Sequence, residues 1–312
     1  MKLTFERLRA QQPQFFADVG ITIDAVAMQG MAAIVAAIES VVALPAFHER
    51  VLAQAPAIAR LPTKARGAFL GYDFHLTDTG PKLIEINTNA GGGLLNAYLL
   101  AEHGRAEEGA RVRDEFVAMF CEEWRLERGD TSLQRVAIVD DEPAGQFLAC
   151  EFALFKELFE EHGIAAVVAD PRDFTRDGKR LLHDGKPVDL IYNRLTDFAL
   201  DATVNADLRA VFEAGGVVLT PHPHAHALYA DKRNLMLLSD GKVLDDLGVA
   251  AETRQTLLAG IPQTVAVSPE QAERFWSERK RWFFKPPAGF GGRAAYRGDK
   301  LTRRVFEEIL HG

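Results

Sequence analysis

Between Val136 and Pro221 the chain alternates short runs rich in β-branched residues with stretches of helical pattern. No other feature limits the available folds as strongly. The runs are VAIVDD (136–141), AAVVADP (165–171), VDLIYNR (188–194) and GVVLTP (216–221), with helices expected from Ala144 to Glu161 and near 205–214. Apolar runs separated by helices imply parallel strands covered on both faces, so residues 133–228 are expected to form a small doubly wound α/β domain. Ligands of such sheets gather at the carboxyl ends of the strands, where Asp140, Asp141, Asn193 and Arg194 fall. These residues equally suit turns and helix caps. Arg194 stands out because a guanidinium at a strand end can clamp a carboxylate through two parallel hydrogen bonds. Neither G-x-G-x-x-G nor G-x-x-x-x-G-K-[ST] occurs in this stretch, which argues against nucleotide phosphates there and against a dehydrogenase.

From Gly71 to Asn96 the sequence reads GYDFHLTDTGPKLIEINTNAGGGLLN. It parses as two strands, LGYDFHL and PKLIEIN, joined by a turn at Thr77-Asp78-Thr79-Gly80. Glu85 and Asn87, two apart on one strand, share a face, and an antiparallel register can bring Asp73 opposite them. Two carboxylates and an amide oxygen suit a hard cation such as Mg²⁺; the plainer reading is a hairpin whose acids face water. After them, Asn89-Ala90-Gly91-Gly92-Gly93 offers peptide N–H groups that a substrate can approach closely.

A length of 312 residues allows two or three domains, and 47% hydrophobic with 26% charged residues describes a soluble globular protein. The formal charge of −8 argues against a large nucleic-acid-binding face, and the conspicuous basic cluster, Arg279-Lys280-Arg281, is too short to carry one. Cys121 and Cys150 lie in apolar helical stretches without metal-ligand spacing, as buried thiols of a reducing compartment do. Lys2, Glu6, Arg7, Arg9 and Asp18 interrupt any signal-peptide core. The apolar run from Ala25 to Leu44 contains Gln29, Glu39 and Ser40 and stops at Pro45, so a buried helix is expected in place of a membrane span. Cytoplasmic location follows, with neither membrane nor nucleic acid as partner. Thr220-Pro-His-Pro-His-Ala-His226 can be read as converging metal ligands or as a rigid linker; a zinc site wants a further ligand, so the linker is preferred.

Beyond Ala230, ADKRNLMLLSD reads as a helix, IPQTVAV as a strand, and SPEQAERFWSER as a helix with Ser268 as cap and Pro269 at its first position. RWFFKPPAGFGGRAAYR then reads as a strand ending at Lys285, a loop Pro286 to Gly292 and a returning strand, followed by a helix to Leu310. A lysine beside the N–H groups of Gly289, Gly291 and Gly292 makes a phosphate cradle from a point charge and a backbone nest. Because it joins strand to strand, it differs from a Walker loop, where a helix follows.

Together the Lys285 loop and the Asp73/Glu85/Asn87 hairpin resemble the ATP-grasp ligases. Asp73 precedes Glu85 by twelve residues, and EINTNAGG is similar to that family's Glu-x-Asn-Thr stretch. The order of the two motifs is reversed here, so the chain resembles the circularly permuted group that includes glutathionylspermidine synthase-like proteins. The resemblance implies an α/β fold with α+β lobes: a helical amino-terminal cap at 1–66, a metal-binding lobe at 67–132, the α/β domain at 133–228 and a lysine/glycine-flap lobe at 229–312. It implies ATP and Mg²⁺ as cofactors, with Asp73, Glu85 and Asn87 on the metal and Lys232, Lys285, Gly289, Phe290, Gly291 and Gly292 on the nucleotide. Asn89, Gly91, Gly92, Asn193 and Arg194 would contact substrate, and Lys285 and Arg194 would take part in catalysis. The implied activity joins a small carboxylate to an amine through an acyl phosphate. Strands that should follow the flap are not in the sequence, so a fragment or shortened relative is expected, and a non-catalytic nucleotide-binding protein is the alternative.

Overall fold

The computed structural model describes residues 5–17, 19–287 and 295–311. In chain order the elements are α1 (Phe5–Gln11), α2 (Ala25–Val42), α3 (Pro45–Leu52), β1 (Gly71–Thr77), β2 (Gly80–Asn87), α4 (Gly93–Glu102) and α5 (Ala106–Arg128). Next come β3 (Arg135–Val139), α6 (Ala149–Glu161), β4 (Ala165–Ala169), β5 (Phe174–Asp177), β6 (Arg180–His183), β7 (Lys186–Pro187), β8 (Leu190–Asn193), α7 (Ala206–Glu213) and β9 (Val218–Thr220). The last are α8 (Pro223–Ala225), α9 (Asn234–Leu238), α10 (Gly241–Asp246), α11 (Ala251–Gly260), α12 (Ala272–Ser277), β10 (Phe283–Phe284), β11 (Tyr296–Arg297) and α13 (Arg303–His311). The chain divides into two compact units: Met1–Ile23, Gln54–Gly71 and Asn87–Ala227 form the first, and Asp24–Ala53, Tyr72–Ile86 and Leu228–Gly312 the second. The helical amino-terminal stretch is thus shared between both.

The first unit is built on a parallel sheet of four strands in the order β4-β3-β8-β9. Val136 and Ile138 of β3 enter one buried cluster with Phe120, Phe155 and Tyr192; Ala137 and Val139 enter another with Leu208 and Val211. Alternate residues of one strand are therefore buried on opposite faces, which is why the strand carries no polar alternation. Strand order reverses between β3 and β8, where Asp140 and Arg194 stand. A second, antiparallel sheet, β5-β6-β7, was not anticipated. Its turns use Gly178 (φ 61°) and Asp184-Gly185 (φ 52° and 70°), the residues that accept a left-handed backbone most readily.

Helix α5 holds the incoming segment 63–68 with two carboxylates one turn apart. Buried Glu123 accepts the Arg66 and Gly67 N–H groups at 2.9 and 2.8 Å and the Thr220 hydroxyl at 2.7 Å, while Thr220 Oγ1 accepts the Ala68 N–H at 2.7 Å. Glu127 accepts the Thr63 hydroxyl at 2.6 Å and the Ala65 N–H at 2.8 Å. Burial works against its ionisation, yet these hydrogen bonds together hold it below the usual carboxylate range.

The histidine stretch closes the first unit, with His222 buried and His224 and His226 half-buried. His222 Nδ1 accepts the Ala225 N–H at 3.0 Å, so its Nε2–H donates to Ala65 O at 3.0 Å. His224 meets Ala59 O at 2.7 Å, and His226 stacks on Phe198 at 3.6 Å with Thr88 Oγ1 3.1 Å from its Nδ1. Each ring is turned to its own partner. Among the described residues no group of three or more His, Cys, Asp or Glu could hold a metal ion.

Burial pushes the His222 imidazole down from 6.5 to about 4. The unfolded chain therefore binds more protons between those values, so the stabilisation is complete above pH 6.5 and is lost as pH falls towards 4. Urea unfolding at pH 7 and pH 4.5 is expected to show the parent losing about 2–3 kcal/mol more than His222→Gln over that interval. Equal losses in both proteins would contradict the assignment.

In the second unit α2 packs on α11 around Ile34, Ile38, Val41, Leu238, Leu244 and Leu257, together with Leu83 and Ile86 of β2. Glu39 of α2 accepts both the Tyr72 and Tyr229 hydroxyls; burial and this acid push the Tyr72 hydroxyl upward. Among the described residues α2 is the one helix long and apolar enough to cross a membrane. Its buried residues, Ile34, Ala37, Ile38, Val41 and Val42, occupy its carboxyl-terminal half, while Val26 and Met28 are exposed. The expectation of a buried helix holds for that half alone.

A smaller cluster, Phe275, Phe284, Leu301 and Phe306, supports the β10–β11 ladder, in which Phe283 pairs with Arg297 and Phe284 with Tyr296. IPQTVAV forms no strand: no neighbouring strand pairs with it among the described residues, and an unpaired extended segment is not a ladder. Ser268 makes no side-chain cap; hydrogen bonding from it holds the Glu270 carboxyl low. The helix expected over ADKRNLMLLSD is confined to α9, which leaves Lys232 in the turn before it.

Candidate functional site

In the second unit the Phe283–Phe284 pairing sets the direction of Lys285, the next residue. Its Nζ donates to Ile84 O at 3.2 Å and lies 3.4 Å from Glu85 Oε2. Lys232 Nζ is 3.8 Å from the same oxygen, and the Lys232 backbone N–H donates to Pro287 O at 3.2 Å. Two lysines remote in sequence thus approach one oxygen of Glu85, with side-chain exposures of 13% for Lys232, 25% for Lys285 and 19% for Glu85. Both ammonium groups face the Glu85 carboxylate in a partly desolvated place, where charges act on one another more strongly than in open water.

Asp73 is exposed on β1, and Asn87 is the last residue of β2. Oxygen donors of this kind fit Mg²⁺ in their chemistry. Gly289, Phe290, Gly291 and Gly292 lie outside the described residues.

In the first unit Arg194 follows β8, and its N–H donates to Val139 O at 2.8 Å. Its guanidinium is buried: Nη1 donates to Ala90 O at 2.8 Å and to Tyr192 Oη at 3.3 Å, with the Phe152 and Tyr192 rings 5.8 and 5.5 Å away. Nε has no partner among the described residues. Across the strand-order reversal, burial pushes Asp140 up to about 6, opposed by the Asp141 N–H and by the charge of Arg194.

The glycine turn 91–93 is held from beneath. Buried Glu151 of α6 accepts the Gly92 N–H at 2.7 Å and the Leu94 N–H at 2.9 Å, so the donor of Gly92 expected to face a substrate is answered internally. At Gly91 a Cβ would stand 2.2 Å from Leu148 Cδ1 and 3.1 Å from Arg194 Nη2, so a side chain there would have to displace the Leu148 methyl. Asn193 is likewise committed: its amide donates to Pro221 O and its Oδ1 accepts the Leu195 N–H, both at 3.1 Å. That is the work of a buried turn, and it leaves little of Asn193 for a ligand. Asn89 is half-buried between β2 and α4. Glu123 and Glu151 were missed because an acid on a helix looks solvated until its distant partner is known.

No family model matches the chain, and a comparison with curated proteins finds no match. A solved structure does resemble it: a glutathione synthetase-like effector from Globodera pallida in its apo form, with a TM-score of 0.52, 13% identity, and coverage of 84% of this chain and 72% of that one. The likeness supports an ATP-grasp-like fold. At that identity it speaks to the fold alone.

Proposed function

We propose that the chain is an ATP- and Mg²⁺-dependent ligase, of circularly permuted ATP-grasp arrangement, that joins a small carboxylate to an amine through an acyl phosphate. The observation carrying this reading is the approach of Lys285 and Lys232 to one oxygen of Glu85. A lysine pair beside hard oxygen donors matches a site for a metal-bound triphosphate. Asp73, Glu85 and Asn87 would hold Mg²⁺, which supplies neutralisation of phosphate charge when bound. Lys285 and Lys232 would balance the remaining phosphate charge, and Gly289, Phe290, Gly291 and Gly292 would line the same phosphates. Such transfer depends on position and charge more than on covalent help from the protein. Arg194 would hold the substrate carboxylate, beside Asn89, Gly91, Gly92 and Asn193. Free Cys121 and Cys150 suit a reducing, cytoplasmic setting.

Two measurements test the reading. ATP with Mg²⁺ is expected to raise the thermal midpoint by several degrees, since a ligand of the folded state stabilises it by mass action. Coupled ADP release is expected only when a carboxylate and an amine are both supplied. A raised midpoint without ADP release for any pair in a broad panel would favour a non-catalytic nucleotide-binding protein.

A further inference from the structure

In the second unit, helix α2 carries one charged side chain among its 18 residues, Glu39, and places it beside Ile38 and Val41 on the buried half of the helix. A carboxylate in such surroundings needs donors to meet it. Two do: the Tyr72 hydroxyl donates to Oε1, and the Tyr229 hydroxyl donates to Oε2 at 2.7 Å. One side chain of α2 thereby joins two segments that lie 33 and 190 positions further along the chain.

Both tyrosines lead into the candidate site. Tyr72 precedes Asp73 on β1, and β1 pairs with β2, which carries Glu85. On the other side Tyr229 stands three residues before Lys232, in a stretch closed on itself: the Asn234 side-chain N–H donates to Leu228 O at 3.0 Å and its backbone N–H to Asp231 O at 2.9 Å. With Asn234 only 4% exposed, residues 228–234 form one piece. The Tyr229 hydroxyl on Glu39 anchors that piece at one place and the Lys232 N–H on Pro287 O at another. Lys232 Nζ stands 3.8 Å from Glu85 Oε2, so Glu39 holds together the two segments that this contact spans. For stability alone an apolar trio of the same shape would serve about as well. What the acid adds is a fixed direction for each ring.

We infer that Glu39 is a positioning residue of this site: through Tyr72 and Tyr229 it fixes where Lys232 stands relative to Glu85, and so how firmly a triphosphate is held. This rests on the ligase reading above and adds to it a residue that touches neither nucleotide nor metal.

Tyr229→Phe keeps the ring and removes the anchor. In the full chain it is expected to raise KM for ATP by about tenfold at saturating Mg²⁺, with kcat within about threefold of the parent, because Lys232 would grip phosphate before the transition state as well as in it. A variant that merely folds less well would lose kcat at unchanged KM. Placement is read separately, without nucleotide, by reductive methylation with formaldehyde and a borane followed by mass spectrometry. Scaled to exposed Lys300, Lys232 is expected to label at least about fivefold faster in Tyr229→Phe and in Glu39→Leu than in the parent. In Tyr229→Phe, Lys285 should keep its parent rate within about twofold and the melting midpoint should stay within about 5 °C. If the parent releases no ADP with any carboxylate and amine, the ligase reading fails while the labelling still decides the placement. Lys232 labelling no faster in either variant, Lys232 and Lys285 accelerating alike in Tyr229→Phe, or an unchanged KM for ATP in an active Tyr229→Phe protein would overturn the inference.

Discussion

Glu85→Gln is expected to lower ATP-dependent ADP release by at least about a hundredfold, with the unfolding midpoint changed by no more than a few degrees. The substitution keeps the shape of the side chain and an oxygen that Lys285 can meet, and removes the charge that would hold Mg²⁺ and orient two ammonium groups. Lys285→Met provides the complement: it leaves the proposed metal donors in place and takes away the proposed phosphate contact, so turnover should fall with little change in the Mg²⁺ dependence of what remains. Steady-state rates at saturating ATP, measured over a Mg²⁺ titration, separate the two. An active Glu85→Gln protein would remove this carboxylate from the metal set and leave it a partner of lysines and nothing more.

The largest effect on stability is expected at Glu123. Glu123→Ala strips acceptors from two backbone N–H groups and a hydroxyl in a place only 4% exposed. Each buried donor left unanswered costs about 1–3 kcal/mol, so a loss of about 3–5 kcal/mol is expected in urea or guanidinium unfolding. Thr220→Val should cost less, because it removes one relay between Glu123 and the Ala68 N–H and keeps the volume. A change below about 1 kcal/mol for Glu123→Ala would mean that segment 63–68 finds other partners.

The legible parts of the fold were those whose signal is local. The β1–β2 hairpin announces itself through alternation and an Asp-Thr-Gly turn, and the parallel sheet through aliphatic runs that leave no polar face. The β5-β6-β7 sheet was missed although Asp177-Gly178 and Asp184-Gly185 mark its turns, because strands of four, four and two residues are too short to display a period. IPQTVAV was misread for the opposite reason: its composition favours extension, but a strand exists only where another can pair with it.

The candidate site divides in the same way. Asp73, Glu85, Asn87 and Lys285 could be named from spacing and resemblance, whereas the meeting of Lys232 with Glu85 depends on a turn that no local pattern specifies. Glu151 and Glu123 carry no sequence signal because their partners lie more than fifty positions away.

The second unit is assembled from three separate stretches of chain, and its core joins Ile34 and Leu83 to Leu238 and Leu257. During synthesis the early helices and the hairpin must therefore wait, apolar side uncovered, until residues beyond Leu228 have left the ribosome. Gene fragments that stop before Leu228 should aggregate or be degraded, and expression of isolated halves is a poor route to studying either one.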